Sequence, residues 1–119
     1  MRIEGPALRL RIHCGEADQW QGRLLYEAIV HLLRDRGIAG ATVLRGIEGF
    51  GRAARIHTTR ILRLSEDLPI VIEVVDQEDR LRAILPELET MLADGLITTE
   101  PVEVVAYRSR SVDGDAGGG

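Results

Sequence analysis

The 119-residue sequence predicts an α+β domain of element order βαββαβ, the ferredoxin-like plait. In that architecture a four-stranded antiparallel sheet carries two helices on one face, here with a long loop between the second and third strands. Three observations carry the prediction. Leu8, Leu10, Ile12 and Cys14 alternate with Arg9, Arg11 and His13, the period-two pattern of a strand with unlike faces. Two separate segments repeat apolar residues at helical spacing. Between and after them lie three further runs of strand character, and two right-handed crossovers of this kind close a sheet in the order 4-1-3-2.

Each element has its own justification. After the first strand comes a polar connection, GEADQWQG, in which Trp20 is read as a lid on the core rather than a ligand-stacking residue. Leu25, Ala28, Ile29, Leu32 and Leu33 then form the apolar stripe of the first helix, with Glu27, His31, Arg34 and Asp35 opposite and Gly37 as its stop. Residues 41–47 read as the second strand and 68–75, strongly β-branched, as the third. The second helix is expected to begin near Asp76, whose carboxylate is placed to cap the first turn, with Glu78 and Asp79 at the positive end of the helix dipole. Leu81, Ile84, Leu85, Leu88, Met91 and Leu92 trace its stripe. Pro86 inside it removes the bond to the Arg82 carbonyl and predicts a kink or restart. Gly95 ends the helix, and 97–107 form a last strand with Pro101 near its start, tolerable on an edge. Residues 1–108 make the domain; 109–119, ending DGDAGGG, read as a disordered tail.

Composition removes whole classes of function. The net charge of −4 argues against sequence-independent nucleic-acid binding, which needs a basic surface. RNA binding on a plait also needs aromatics on the central strands, where this chain has Arg9, Arg11, Val71 and Glu73. One cysteine allows neither an intrachain disulfide nor a Cys-based zinc cluster. All 15 basic residues are arginine, and asparagine is absent. Lysine-dependent chemistry, from a Walker A loop to a Schiff base, is therefore excluded, as is a Cys-His-Asn triad. His13 and Cys14 are adjacent on a strand, so their side chains diverge and cannot make a nucleophile pair. A non-enzymatic protein of the cytoplasm is expected, because the N-terminus offers no apolar run for a signal peptide or span.

The sheet face turned away from the helices is expected to carry Val71 and Val75 on the third strand and Val105 and Tyr107 on the fourth. Arg9 and Arg11 should lie there beside Glu73 and Glu103 on the flanking strands. Ion pairs in a mostly apolar surface suit a subunit interface; the alternative is a solvated, salt-laced face.

The stretch GIEGFGRAARIHTTR, residues 46–60, gathers glycines and arginines in one loop. Glycine lets the backbone approach an anion, and arginine adds a forked, charged donor. Glycines also serve hairpin geometry alone, and loop arginines are often merely solvated.

GIAGATVLRGIEGFGR, residues 37–52, resembles the matching run of the PII nitrogen-regulatory signalling proteins. With GEADQWQG, RIHTTRILRLSEDLPIVIEVVD and VEVVAY it is closer still to a PII-like family known as domain of unknown function 190, over roughly residues 8–107. The resemblance implies a homotrimer with its sheets facing inward, a mobile docking loop after the second strand, and a small anionic ligand, such as an adenine nucleotide, in the cleft between subunits. The ligand residues it implies are Gly49, Gly51 and Arg52, with Arg45, Arg55 and His57 as further candidates. Family association implies a membrane transporter as the docking partner. Where PII proteins carry a glutamine and a lysine this chain has Ala53 and Ala54, a departure from the metal and 2-oxoglutarate site of those proteins; no tyrosine falls between Phe50 and Leu68, so loop uridylylation is excluded. The segment before the last strand, ADGLITTEPVEVV, lacks the lysine-rich loop that wraps ATP phosphates. The alternative is a trimer binding divalent metal between subunits, like the related CutA group.

Overall fold

The structure, a computed structural model, describes residues 3–50, 57–58 and 67–110. Its elements are β1 (Gly5–Gly15), β2 (Gln19–Trp20), β3 (Arg23–Leu24), α1 (Leu25–Asp35), β4 (Thr42–Arg45), β5 (Glu48–Gly49), β6 (His57–Thr58), β7 (Pro69–Asp76), α2 (Glu78–Met91) and β8 (Leu96–Val104). The main sheet runs β4-β7-β1-β8, every pair antiparallel. That is the expected plait order, read from the other edge.

One face of the sheet and both helices build a single core. Leu8, Leu10, Ile12 and Cys14 of β1 and Ile70, Ile72 and Val74 of β7 meet Leu25, Ala28, Ile29 and Leu33 of α1 and Leu81, Ile84, Leu88 and Met91 of α2. Truncating one of the fully buried members, such as Leu10 or Ile72, to alanine costs about 2–5 kcal/mol. Trp20 packs partly buried against this cluster, which is the lid role.

The ends of α1 and α2 are set by different devices. Past α1, Gly37 N donates to Arg34 O and Ile38 N to Leu33 O, while Gly37 takes φ +75°, the paired bonds and left-handed glycine of a Schellman stop. The second helix begins two residues beyond Asp76, which does not cap it as the sequence predicted. Asp76 is the last residue of β7 and is fully buried; its carboxylate accepts from Ala39 N (2.9 Å) and Gln77 N (2.6 Å) and lies 3.3 Å from Arg80 Nε. Arg80 also donates to Gly37 O, so this pair ties the α1–β4 connection to the root of α2. Pro86 lies inside α2 without ending it. It is exposed, so the Arg82 carbonyl that loses its helical donor is on the water side.

Three further differences are informative. The GEADQWQG connection holds a hairpin, β2 with β3, turned by Gln21 and Gly22 at φ 50° and 77°, the paired left-handed residues of a type I′ turn. The loop after β4 starts its own ladder, Glu48 opposite Thr58 and Gly49 opposite His57. The last strand stops at Val104, and its register reverses the expected faces. Leu8 lies opposite Pro101 and Arg9 opposite Glu100, so Glu100, Val102 and Val104, rather than Glu103, Val105 and Tyr107, share the open face with Arg9. Val105 lies past the strand, 86% exposed, and Tyr107 N donates to Glu4. The expected tail beyond Arg110 lies outside the described residues.

Candidate functional site

Two regions are built for something other than core packing. The first is the open sheet face. Arg11 Nε meets Glu73 at 2.8 Å, as the alternation of β1 and β7 predicts. Arg9 holds Glu100 at 2.6 Å and Arg11 reaches the same carboxylate oxygen at 3.5 Å. These hydrogen bonds, from Arg9 first, hold the Glu100 carboxyl below its usual range. Around the pairs the register places Leu44, Val71, Val75, Leu96, Val102 and Val104. Leu44 and Leu96 remain 50% and 54% exposed.

The second region is the base of the loop that follows β4. At its centre is Pro69, the first residue of β7. Gly46 N donates to Pro69 O at 2.7 Å. A Cβ on Gly46 would stand 2.7 Å from Pro69 Cγ, and one on Gly49 would stand 3.2 Å from it. Here the glycines make room for a proline ring, which is the hairpin-packing role weighed against the anion-binding one.

Arg45, at the end of β4, does not point into open solvent alone. Its guanidinium holds Glu16 Oε2 at 2.5 Å. Glu16 is fixed by its backbone, which donates to Leu68 O at 2.8 Å. On either side Gly15 N donates to Asp18 (2.9 Å) and Ala17 N to Asp67 (2.7 Å). The described wall of the loop base is thus acidic. Beneath it Cys14 is buried, and desolvation, helped by Asp18 and Asp67, pushes its thiol up to about 11. Such a thiol is inert at neutral pH.

Of the sequence-predicted ligand residues, the structure places Arg45 and Gly49 at this base and brings the His57 backbone opposite Gly49. Gly51, Arg52 and Arg55 lie outside the described residues. Glu16, Asp67 and Pro69 were missed, although topology held the signal: when the first and third strands pair antiparallel, the end of one meets the start of the other. Ile47 and Phe50 stand 74% and 69% exposed beside them. Among the described residues no group of three or more His, Cys, Asp or Glu is arranged to hold a metal ion. A groove of about 460 Å³ lined by Arg82, Leu85, Glu89, Leu92, Ile97 and Thr99 lies elsewhere, along β8 at the opposite edge of the sheet. No helix among the described residues is long and apolar enough to cross a membrane.

Comparison with known proteins agrees with this architecture. A UPF0166 protein of Aquifex aeolicus is 35% identical over 105 residues, covering 88% of this chain and 98% of the relative. A second, from Methanocaldococcus jannaschii, is 42% identical over 89 residues, covering 74% and 82%. Among solved structures, CPII of Thiomonas intermedia K12, a nitrogen regulatory PII-like protein bound to ADP, AMP and bicarbonate, superposes with a TM-score of 0.61 at 17% identity, over 87% of this chain and 99% of that one. Another structure of CPII, bound to ADP and bicarbonate, gives 0.55 at 21% identity over 85% and 90%. The family model for domain of unknown function 190, described as "Uncharacterized ACR", matches residues 7–104, most of the chain. With that match and a PII-like plait, the chain belongs to the domain of unknown function 190 family.

Proposed function

We propose that this protein is a PII-like regulator: a homotrimer joined through its open sheet faces that binds a small anionic ligand, an adenine nucleotide such as ADP or AMP, between subunits. The observation that carries the reading is the open face. Leucines half exposed beside ordered, cross-strand arginine–glutamate pairs form a surface that a partner of matching pattern would desolvate. The nucleotides bound by CPII support the ligand class. Arg45 and Gly49 of the described base, with Gly51, Arg52, Arg55 and His57, are the proposed ligand residues. Ile47 and Phe50, apolar and uncovered, suit a loop that docks on a protein partner, and a membrane transporter is the partner class the family resemblance implies.

Light scattering and a thermal-shift series with ADP, AMP and bicarbonate test this together. A trimer mass and an upshift of several degrees with a nucleotide are expected, since a ligand at 100 times its Kd adds about 2.7 kcal/mol. A monomer at micromolar concentration would remove the interface argument. Arg52→Ala should lower nucleotide affinity roughly ten- to a hundredfold where the contact is desolvated. Stabilisation by divalent metal and by no nucleotide would favour the CutA-like alternative.

A further inference from the structure

We infer that Glu16 is a specificity-determining residue of the loop base: an internal carboxylate that occupies Arg45 and biases the site against ligands of high negative charge. The inference rests on the nucleotide reading above and adds to it the residue that tunes the site. Its ground is the geometry around residues 15–17. Three successive backbone amides, Gly15 N, Ala17 N and Glu16 N between them, are held by Asp18, Asp67 and the Leu68 carbonyl. The Glu16 side chain therefore leaves from a fixed frame. It is 26% exposed against 57% for Arg45, so the carboxylate is the more desolvated partner of the 2.5 Å pair.

An anion arriving at Arg45 meets one of two situations. It displaces Glu16, leaving a half-buried carboxylate unpaired, or it shares the guanidinium and sits near a like charge. The second penalty grows with ligand charge. ADP, which carries more charge than AMP, is handicapped more. Asp18 and Asp67 lie nearby, each with one oxygen engaged by a backbone amide, and Glu16 is the carboxylate that hydrogen-bonds Arg45.

Calorimetric titration of wild type, Glu16→Gln, Arg45→Ala and the double variant with ADP and with AMP tests this. Gln keeps the size of the side chain and can still accept from Arg45, so the variant retains the fold. Glu16→Gln should bind ADP about two- to fivefold more tightly, the range of a partly exposed ion pair, with a smaller gain for AMP. The gain should shrink as salt is raised and vanish in the Arg45→Ala background. Unchanged or weaker ADP binding by Glu16→Gln, with wild type still binding, overturns the role of Glu16 and leaves the nucleotide site standing. A gain that persists without Arg45 also overturns it, since the effect would then be general electrostatics. Absence of ADP and AMP binding in all four proteins removes the nucleotide reading and this inference together.

Discussion

Pro69 decides how large the residues of the loop base can be. Gly46→Ala would bring a methyl group 2.7 Å from its Cγ, and a proline ring at the head of a central strand, with its carbonyl bonded to Gly46 N, has little room to swing away. A loss of about 1–3 kcal/mol is expected in urea unfolding, with Gly49→Ala milder because its contact is 3.2 Å. In a Pro69→Ala background the Gly46→Ala cost should fall, and an undiminished cost would place the strain elsewhere. Cys14 supplies a second test at this scale. Its thiol is raised in the folded state from 9.0 to about 11, so the contribution to stability is complete below pH 9 and is lost as pH climbs through 11. Cys14→Ala should flatten that alkaline decline, and native protein should resist thiol reagents at pH 7.

At the scale of elements, α2 is held at its root and weakened in its middle. The Asp76 carboxylate collects two backbone amides and the Arg80 guanidinium, so Asp76→Ala would strand several donors at once. Its expected cost is about 3 kcal/mol, at the low end for a broken buried pair because Arg80 is 33% exposed. Pro86 acts in the other direction. It is exposed and contributes no helical donor, so Pro86→Ala should raise the midpoint of thermal unfolding, by a stability gain of about 1–3 kcal/mol. A drop instead would show that α2 depends on a bend at this proline for its fit to the sheet.

For the whole molecule the open face is the feature that matters. Arg11→Glu would set a carboxylate between Glu73 and Glu100, which now lie 2.8 and 3.5 Å from its guanidinium. Assembly should weaken, read as a fall in scattering mass on dilution; a mass equal to wild type would mean that these pairs face solvent. Acid probes the same network. Glu100 is held below its ordinary 4.5 mainly by the Arg9 hydrogen bond, so its contribution is present above 4.5 and disappears only as pH drops through the lower folded value. The proposed trimer should therefore survive mild acid and dissociate once Glu100 is protonated, and Glu100→Gln, which resembles the protonated residue at every pH, should be weakened already at neutral pH and lose that acid step.

The sequence by itself determined the element order, both buried helix stripes, the plait and the pairing of Arg11 with Glu73. The elements and their stripes follow from local periodicity, because a strand or helix with one buried face writes that face into its own residues; the plait and the Arg11–Glu73 pair follow once the crossover rule sets the first and third strands side by side. Other features belonged to the tertiary structure. The last strand is an edge with apolar and polar residues on both faces, so its pattern contained no burial signal to choose between Glu100 and Glu103; the register against β1 chose. Asp76 reads locally as a helix cap, yet its partner amide at Ala39 lies 37 residues away. Arg45 reads as a free cation in a basic loop until Glu16, 29 residues upstream, is brought against it. Contacts of that range depend on which strand ends meet, and no local run of residues encodes them.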